Sequence, residues 1–345
     1  MRSPHDFTAR AVRPRRYAGN IGLAFTPLKC FVVLGVCLQA VLAFGQDPAQ
    51  PATNLSLTSV LDGAAPGPGT YWFQYVQYYH ANRIAGPAGD RVGNARVKTT
   101  LYMQQLVHMS RKKWLGGNVG FTVLVPLVNI NTDGEVIPGK VPLTSNPSLM
   151  GDLIVGPSLQ WLKGQLLGKP FHSRLALDFV LPTGAYDPDY AINAGSNYLT
   201  IEPHYTFTYF ITPRLSTSQR HHYTYHFENP QNRYRTGQMY HLNYALEYAV
   251  CKTFRAGVIG YYLTQFTNDQ HRGDDRYFQE TFGLSNTRER VFAVGPSLSL
   301  VSPRGIFFEL KSAFEAAAVN RPEGIRTTFR LIYRFKDAPA GTPRP

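Results

Sequence analysis

Alternation of apolar and polar residues with a period of two is the feature that most constrains how this chain can fold. In 240–250 every even position is Tyr, Leu or Val, whereas the odd positions are His, Asn, Ala or Glu. Similar patterns occur in 324–335, 201–211, 306–314 and 97–109. Because side chains two residues apart on a strand point to the same side, each segment predicts a β-strand with one apolar and one largely polar face.

Three features favour a membrane-spanning barrel over a soluble β-sandwich. The alternating segments run to about 10–14 residues, whereas soluble strands usually have about 5–6. Aromatic residues are abundant, with 21 Tyr and 21 Phe, and they cluster at segment ends, where the two membrane interfaces would lie. The connections also alternate between tight and long, as they do in even-stranded outer-membrane barrels.

Twelve strands account for the alternating segments. After most even-numbered strands the chain turns tightly, as at 212–213 and 251–253, and after most odd-numbered strands it runs through long segments such as 182–197 and 267–289. The sequence therefore predicts an all-β fold, an antiparallel transmembrane outer-membrane β-barrel with short periplasmic turns and long extracellular loops. The predicted strands cover 71–80, 96–110, 116–129, 151–163, 173–181, 198–211, 214–227, 238–250, 254–266, 290–301, 305–316 and 324–335.

The N-terminus predicts export. Residues 31–44 form an uncharged apolar run after Lys29 and an Arg-rich stretch, which is the layout of a secretory signal peptide and is too short for a good transmembrane helix. The predicted location is the outer membrane of a Gram-negative cell. We predict a signal peptide with an extended n-region over 1–45, a flexible periplasmic lead-in over 46–69, the barrel over 70–335 and a polar C-terminal tail over 336–345.

Nucleic-acid binding and catalysis find little support in the sequence. The net charge of +13 is compatible with nucleic-acid binding, but charged residues make up only 17% of the chain, so no nucleic-acid partner is predicted. The sequence has no Gly-x-Ser-x-Gly elbow and no phosphate-binding Gly loop, and we predict no catalytic residues, no cofactor and no enzyme activity. A minor hydrolase would require a Ser beside a His in the folded barrel.

A group of histidines, His221, His222 and His226, raises the possibility of a metal site. Positions four apart on one strand are separated by about 13 Å at about 3.3 Å per residue, whereas zinc is bound by nitrogens at about 2.1 Å. Two of the three Cys lie in the N-terminal apolar stretch, which excludes a Cys cluster. The sequence therefore predicts no metal site.

If the apolar faces contact lipid, the polar faces line the lumen. Their charged residues suit either a salt-bridge network that rigidifies the interior or a constriction that selects solutes by charge. The ladder of Arg326, Arg330 and Arg334 would favour anions in an open pore. The predicted lumen-facing residues are Arg96, Lys98, Arg174, Asp178, Glu202, His204, Arg220, His222, His226, His241, Glu247, Glu309, Lys311, Glu315, Arg326, Arg330 and Arg334.

Several short motifs, in this order and spacing, resemble a known family. The stretches are 181–187 (LPTGAYD), 193–198 (NAGSNY), 294–298 (VGPSL) and 320–324 (NRPEG). Together they resemble the outer-membrane family named for the meta-pathway of phenol degradation, over roughly residues 70–335. Most motif residues suit strand exits and turns, because Pro fixes φ and Gly permits positive φ. The residues that carry the resemblance are Pro182, Thr183, Gly184, Asp187, Asn193, Gly195, Gly295, Pro296, Asn320, Pro322 and Gly324.

The resemblance implies uptake of aromatic or other hydrophobic compounds. We therefore expect an outer-membrane channel for passive uptake of small hydrophobic or aromatic solutes, with outer-membrane lipid and lipopolysaccharide as its surroundings. The alternative is a plugged, non-transporting barrel that has a structural or partner-binding role through its outer loops. The oligomeric state is left open.

Overall fold

A computed structural model of the protein describes residues 54–64, 67–137 and 141–335. The predicted signal peptide, the first part of the lead-in and the tail 336–345 lie outside the described residues. The long strands are β1 (Gly69–Ala85), β2 (Arg96–Trp114), β3 (Gly117–Asp133), β6 (Leu153–Leu166), β7 (Lys169–Leu181), β8 (Thr200–Phe210), β9 (Leu215–His226), β11 (Met239–Ala249), β12 (Phe254–Gln265), β14 (Arg290–Val301), β15 (Phe307–Val319) and β16 (Arg321–Arg334). Shorter elements are β4 (Glu135–Ile137), β5 (Val141–Pro142), β10 (Tyr234–Arg235), β13 (Gln270–His271) and helix α1 (Tyr277–Phe282).

The long strands form one closed barrel. Each is antiparallel to its neighbour along the chain, and β1 pairs with β16 as well as with β2, which removes both edges of the sheet. Closure satisfies the backbone hydrogen bonds of every barrel strand, which a strand in lipid requires. The predicted twelve-stranded antiparallel barrel is confirmed. Among the described residues, no helix is long and apolar enough to span a membrane.

The outer surface of the barrel carries a band of apolar side chains. On β14 and β15 the outward positions include Val294, Leu298, Leu310 and Phe314, all of which are exposed. The alternate positions, such as Ala293 and Ser297, are buried inside. This arrangement is the one predicted for 306–314 and also for 240–250, and it suits a wall that faces lipid.

The two ends of the barrel differ in the length of their connections. At one end, here called the turn end, the strands are joined by short turns such as 115–116, 167–168 and 302–306. At the opposite loop end the connections 134–152, 182–199 and 266–289 are long and contain β4, β5, β13 and α1. The connection from β15 to β16 differs from this pattern. It consists of Asn320 alone, in a left-handed conformation with φ 54°, rather than a long loop.

The apolar outer band allows a direct test of contact with lipid. Val294 lies near the middle of β14 and points outward. We expect Val294→Arg to destabilise the folded barrel by about 2–4 kcal/mol in phospholipid vesicles, because a guanidinium near the bilayer midplane loses its hydration. Asn131→Arg, at an outward position beyond the apolar band, should change stability by only about 0–1 kcal/mol. Equal effects of the two substitutions on urea unfolding would contradict a lipid-facing Val294.

Candidate functional site

Residues 54–64, here called the plug, lie inside the barrel. Its apolar side chains Leu55, Leu57 and Val60 are almost completely buried. The prediction of a flexible lead-in over 46–69 was therefore wrong for this segment. The physical reason lies in those apolar residues, which would be exposed to water in a free linker and are instead buried against the barrel interior.

Asp62 anchors the plug through two arginines of the barrel wall. Its carboxylate accepts two hydrogen bonds from Arg220 on β9, at 2.5 Å from Nε and 2.6 Å from Nη2. Arg174 on β7 lies 3.1 Å from the same carboxylate through Nη2 and also donates to the Asp62 carbonyl. Paired donors of this kind fix both position and orientation, so this end of the plug has a defined seat.

A second group of charges holds the middle of the plug. Lys311 on β15 donates to the carbonyl of Leu57 at 3.3 Å and to the hydroxyl of Ser59 at 2.9 Å. Arg330 on β16 donates to the carbonyl of Val60 at 3.0 Å. Glu309 lies between the two cations, 2.9 Å from Lys311 and 2.7 Å from Arg330. The polar wall is thus joined directly to the plug backbone.

The structure places most of the predicted lumen residues inside the barrel. Arg174 is half-buried there, and the side chain of Glu315 is completely buried. Arg334 is exposed at the turn end, where it donates to the carbonyl of Pro68. The remaining inward charges form pairs such as Arg326–Glu315 and Arg255–Glu247. The predicted residues that are buried in the interior are Asp178, Glu202, His204, Arg220, His222, His226, His241, Glu247, Glu309, Lys311, Arg326 and Arg330.

Arg96 and Lys98 were assigned to the wrong face. Both are exposed on the outside of the barrel, whereas Val97, Leu101 and Met103 are buried inside. Alternation identifies two faces of a strand but not which one faces inward. Here the inward face is apolar because it packs against the plug and the loops at the loop end.

A cavity lies between part of the plug and the wall of the barrel. It has a volume of about 90 Å³ and runs alongside the plug, from Met109 near the turn end to Val180 near the loop end. One side is apolar and consists mainly of β1–β3 residues. The other side is polar, with Asp62, Arg174 and Arg220. The apolar side includes Phe73, Tyr75, Met103, Val107, Met109 and Leu124.

The histidines of the lumen come together across strands rather than along them. His204 on β8 pairs with His222 on β9, which pairs with His241 on β11. Glu202 lies beside them, with its Oε1 2.7 Å from Nδ1 of His222. His226 lies nearer the loop end, where a hydrogen bond joins its Nδ1 to Oγ1 of Thr200. Within the described ranges, no hydrogen bond joins a serine hydroxyl to a histidine ring.

The family-motif residues at the loop end serve to pack loops together. Asp152, just before β6, accepts hydrogen bonds from the amides of Gly184 and Ser196 at 2.8 and 2.7 Å. Gly184 and Gly195 touch, and a Cβ on Gly195 would lie 2.6 Å from the carbonyl carbon of Gly184. The Asn193 side chain bonds to the backbone of Asp187 in both directions. We infer a structural role for these motif residues.

Asp269 ties two other loops together. Its carboxylate accepts hydrogen bonds from the amide of Gly237 at 2.9 Å and from Gln265 at 2.7 Å. Burial raises the pKa of Asp269 to about 6, although these hydrogen bonds oppose the shift. Burial also raises the pKa of nearby Glu289 to about 7, against the opposing effect of Arg321. Both carboxyls thus titrate between mildly acidic and neutral pH.

The raised pKa values predict tighter loop packing at lower pH. A carboxyl whose pKa is higher in the folded state than in the unfolded state binds its proton more tightly when the loop is packed. Its contribution to the stability of the packed loop is therefore largest at low pH and is lost as the pH rises through about 6–7. We expect loop 266–289 to be cleaved by limited proteolysis faster at about pH 8 than at about pH 5. Asp269→Asn, measured in parallel at both pH values, should lose part of this difference. The same pH ratio in both proteins would contradict the prediction.

Comparison with known families identifies the chain's relatives. The model of the family described as "Putative MetA-pathway of phenol degradation" matches residues 81–331, which is more than half of the chain. The chain belongs to this family. The resemblance drawn from the sequence motifs is thereby confirmed. No curated protein sequence matches the chain.

Solved structures share the architecture of this family member. The COG4313 outer membrane channel from Pseudomonas putida F1 superposes with a TM-score of 0.63 and 14% identity, covering 79% of this chain and 97% of that chain. The transport unit of the autotransporter AIDA-I from Escherichia coli (TM-score 0.43, 8% identity, 88% and 99% covered) and the TodX monoaromatic hydrocarbon channel deltaS2 mutant (0.37, 9%, 84% and 92%) are less similar. These two likenesses are too low to carry an argument.

The fold and its surface place the protein in the outer membrane. A closed antiparallel barrel with an apolar outer band is a structure that satisfies its backbone within lipid, and it is the architecture of the outer membrane channel described above. In this location the turn end faces the periplasm and the loop end faces outward, as in other outer-membrane barrels.

Proposed function

We propose that this family member is an outer-membrane channel for the passive entry of small hydrophobic compounds, aromatic ones among them. The observation that carries the proposal is the cavity beside the plug, which follows an apolar wall along much of the barrel. The family description, which refers to phenol degradation, supports the aromatic part of the proposal.

The lining of the cavity suits an aromatic ring with one polar substituent. Met103, Met109 and Phe73 offer thioether and aromatic contacts on one side, and a sulfur–aromatic contact is worth about 0.3–1.5 kcal/mol. Arg174 on the opposite side offers guanidinium donors to a hydroxyl or carboxylate. A sugar of similar mass would leave hydroxyls unpaired against the apolar wall, which is unfavourable.

Ligand binding to the refolded barrel tests this assignment of the cavity. We expect toluate to bind in detergent micelles, and Met103→Gln to weaken its binding roughly three- to tenfold, because a polar amide replaces the thioether. Met239→Gln is the matched control, since Met239 is equally buried but lies among residues of β11, β12 and β14, away from the cavity. Equal loss of affinity in both variants, measured by titration calorimetry, would contradict binding at this wall.

The plug favours the alternative function. A segment that is bonded to four cations of the wall would also suit a closed barrel with a structural or partner-binding role through its outer loops. The two functions differ in one observable, because a closed barrel carries no solute under any condition that leaves the plug seated.

A further inference from the structure

Three residues on adjacent strands place metal-binding atoms close together inside the barrel. Glu202 on β8, His222 on β9 and His241 on β11 each offer one ligand atom, and these atoms all lie within 4.8 Å of one another. The imidazole rings of His222 and His241 stack with centroids 4.0 Å apart. All three side chains are at most 3% exposed.

The ring nitrogens of this cluster are without hydrogen-bond partners among the described residues. Both ring nitrogens of His222 and both of His241 are buried and make no hydrogen bond with a described residue. Glu202 Oε1 is close to Nδ1 of His222, at 2.7 Å, but the two atoms are not aligned as a hydrogen bond. Buried polar atoms are nearly always paired, because an unpaired one is costly. Three of these four nitrogens have no partner among the described residues, and the fourth lies only beside the Glu202 carboxylate, so a cation held between the rings and this carboxylate would satisfy them.

The surroundings of the cluster can hold a cation. Asp178 contributes a second carboxylate nearby, 3.3 Å from His204, whose ring lies 4.9 Å from that of His222. The positive charge of Arg220, two residues along β9 from His222, is paired with Asp62 of the plug. Glu202 is oriented by Thr224, whose hydroxyl is 3.4 Å from the other carboxylate oxygen.

We propose that Glu202, His222 and His241 bind a divalent transition-metal ion of the zinc class in the lumen. Two imidazole nitrogens and one carboxylate oxygen form a donor set that zinc accepts, with a fourth position left for water. Ligand distances of about 2.0–2.2 Å would require the three atoms to move slightly closer together. Such an ion would join β8, β9 and β11 just beyond Asn243, which binds the plug through the amide of Ser56.

The proposal differs from the sequence-based expectation for a clear reason. His222 and His226 lie on one strand and are too far apart to share an ion. Cross-strand pairing instead brings His241 beside His222, although 18 residues separate them in the sequence.

A cobalt titration of the refolded full-length barrel, stripped with a chelator, tests the site. We expect one equivalent of Co²⁺ to bind with the visible d–d absorption of a low-coordinate site, and Zn²⁺ to displace it. His241→Gln removes a ligand, so it should weaken Co²⁺ binding by more than the roughly 10–100-fold that is typical when a residue hydrogen-bonded to a metal ligand is replaced. Glu202→Gln keeps the side-chain shape and provides a second ligand variant. His226→Gln is the control, since His226 is equally buried in the lumen but lies outside the cluster.

The outcomes decide between a metal site and a packed histidine stack. Loss of binding in the ligand variants, with His226→Gln unchanged and all proteins migrating as folded barrels in unheated gels, would support the site. Absence of stoichiometric Co²⁺ and Zn²⁺ binding by the unaltered protein would overturn it, as would undiminished binding by the ligand variants. If His241→Gln does not fold, the unaltered protein and Glu202→Gln are sufficient to decide.

Discussion

Deletion of residues 54–64 is expected to raise the single-channel conductance of the barrel several-fold in planar lipid bilayers. The plug is bonded to Arg174, Arg220, Lys311 and Arg330, and its removal would leave these cations facing water in the lumen. A twelve-stranded barrel is intermediate in size between barrels filled by side chains and open sixteen-stranded porins, so an unplugged lumen should admit ions. The exposed arginines should also shift selectivity towards anions.

Single substitutions separate the role of the plug from that of the barrel. Asp62→Asn keeps the side-chain size but removes the charge that holds Arg174 and Arg220. It should therefore give frequent channel openings in planar bilayers while the barrel remains folded. Asp90→Asn, in the exposed loop between β1 and β2, should behave like the unaltered protein. Unchanged conductance after deletion of 54–64 would show that the plug is not what closes the lumen.

The second large effect is expected at Glu309. Its carboxylate is buried between Lys311 and Arg330, and both cations also hold the plug. Glu309→Gln would leave two buried cations without their counter-ion, and removal of one partner from a buried pair costs about 3–5 kcal/mol. We expect a decrease of that size in the free energy of unfolding, measured with urea in phospholipid vesicles.

An exposed ion pair of the same chain serves as the matched control. Glu280 lies 3.7 Å from Arg276 at the start of α1, and both side chains are largely exposed. Glu280→Gln should change stability by at most about 0.5 kcal/mol, because water and salt screen such pairs. If the two Glu→Gln variants were equally stable, the interior ion pairs would contribute far less than their burial implies.

The architecture was predictable because alternation in long segments has few structural solutions. Each of the twelve predicted strands corresponds to a strand of the barrel, and most boundaries differ by only a few residues. The face of β2 was not predictable in the same way. Val97 and Met103 are apolar residues that face a packed interior. The pattern along a strand does not distinguish an apolar face that packs inside the barrel from one that contacts lipid.

The functional interior was less predictable because it depends on contacts between distant parts of the chain. Asp62 and Gln77 each bind residues more than a hundred positions away. The run of Leu55, Leu57, Val60 and Leu61 within a supposed linker was the available signal for the plug, since a free linker gains nothing from apolar residues. The approach of His222 to His241 depends on strand register, which the spacing of histidines along one strand does not reveal.

Solute entry into vesicles tests the proposed function most directly. The full-length barrel, refolded into liposomes, is compared with empty liposomes for uptake of toluate and of ribose. We predict protein-dependent entry of toluate that greatly exceeds that of ribose, because the proposed route, the cavity beside the plug, is apolar on one side. Equal entry of both solutes would indicate a general pore. Entry of neither above the empty liposomes would contradict the channel and favour the closed barrel.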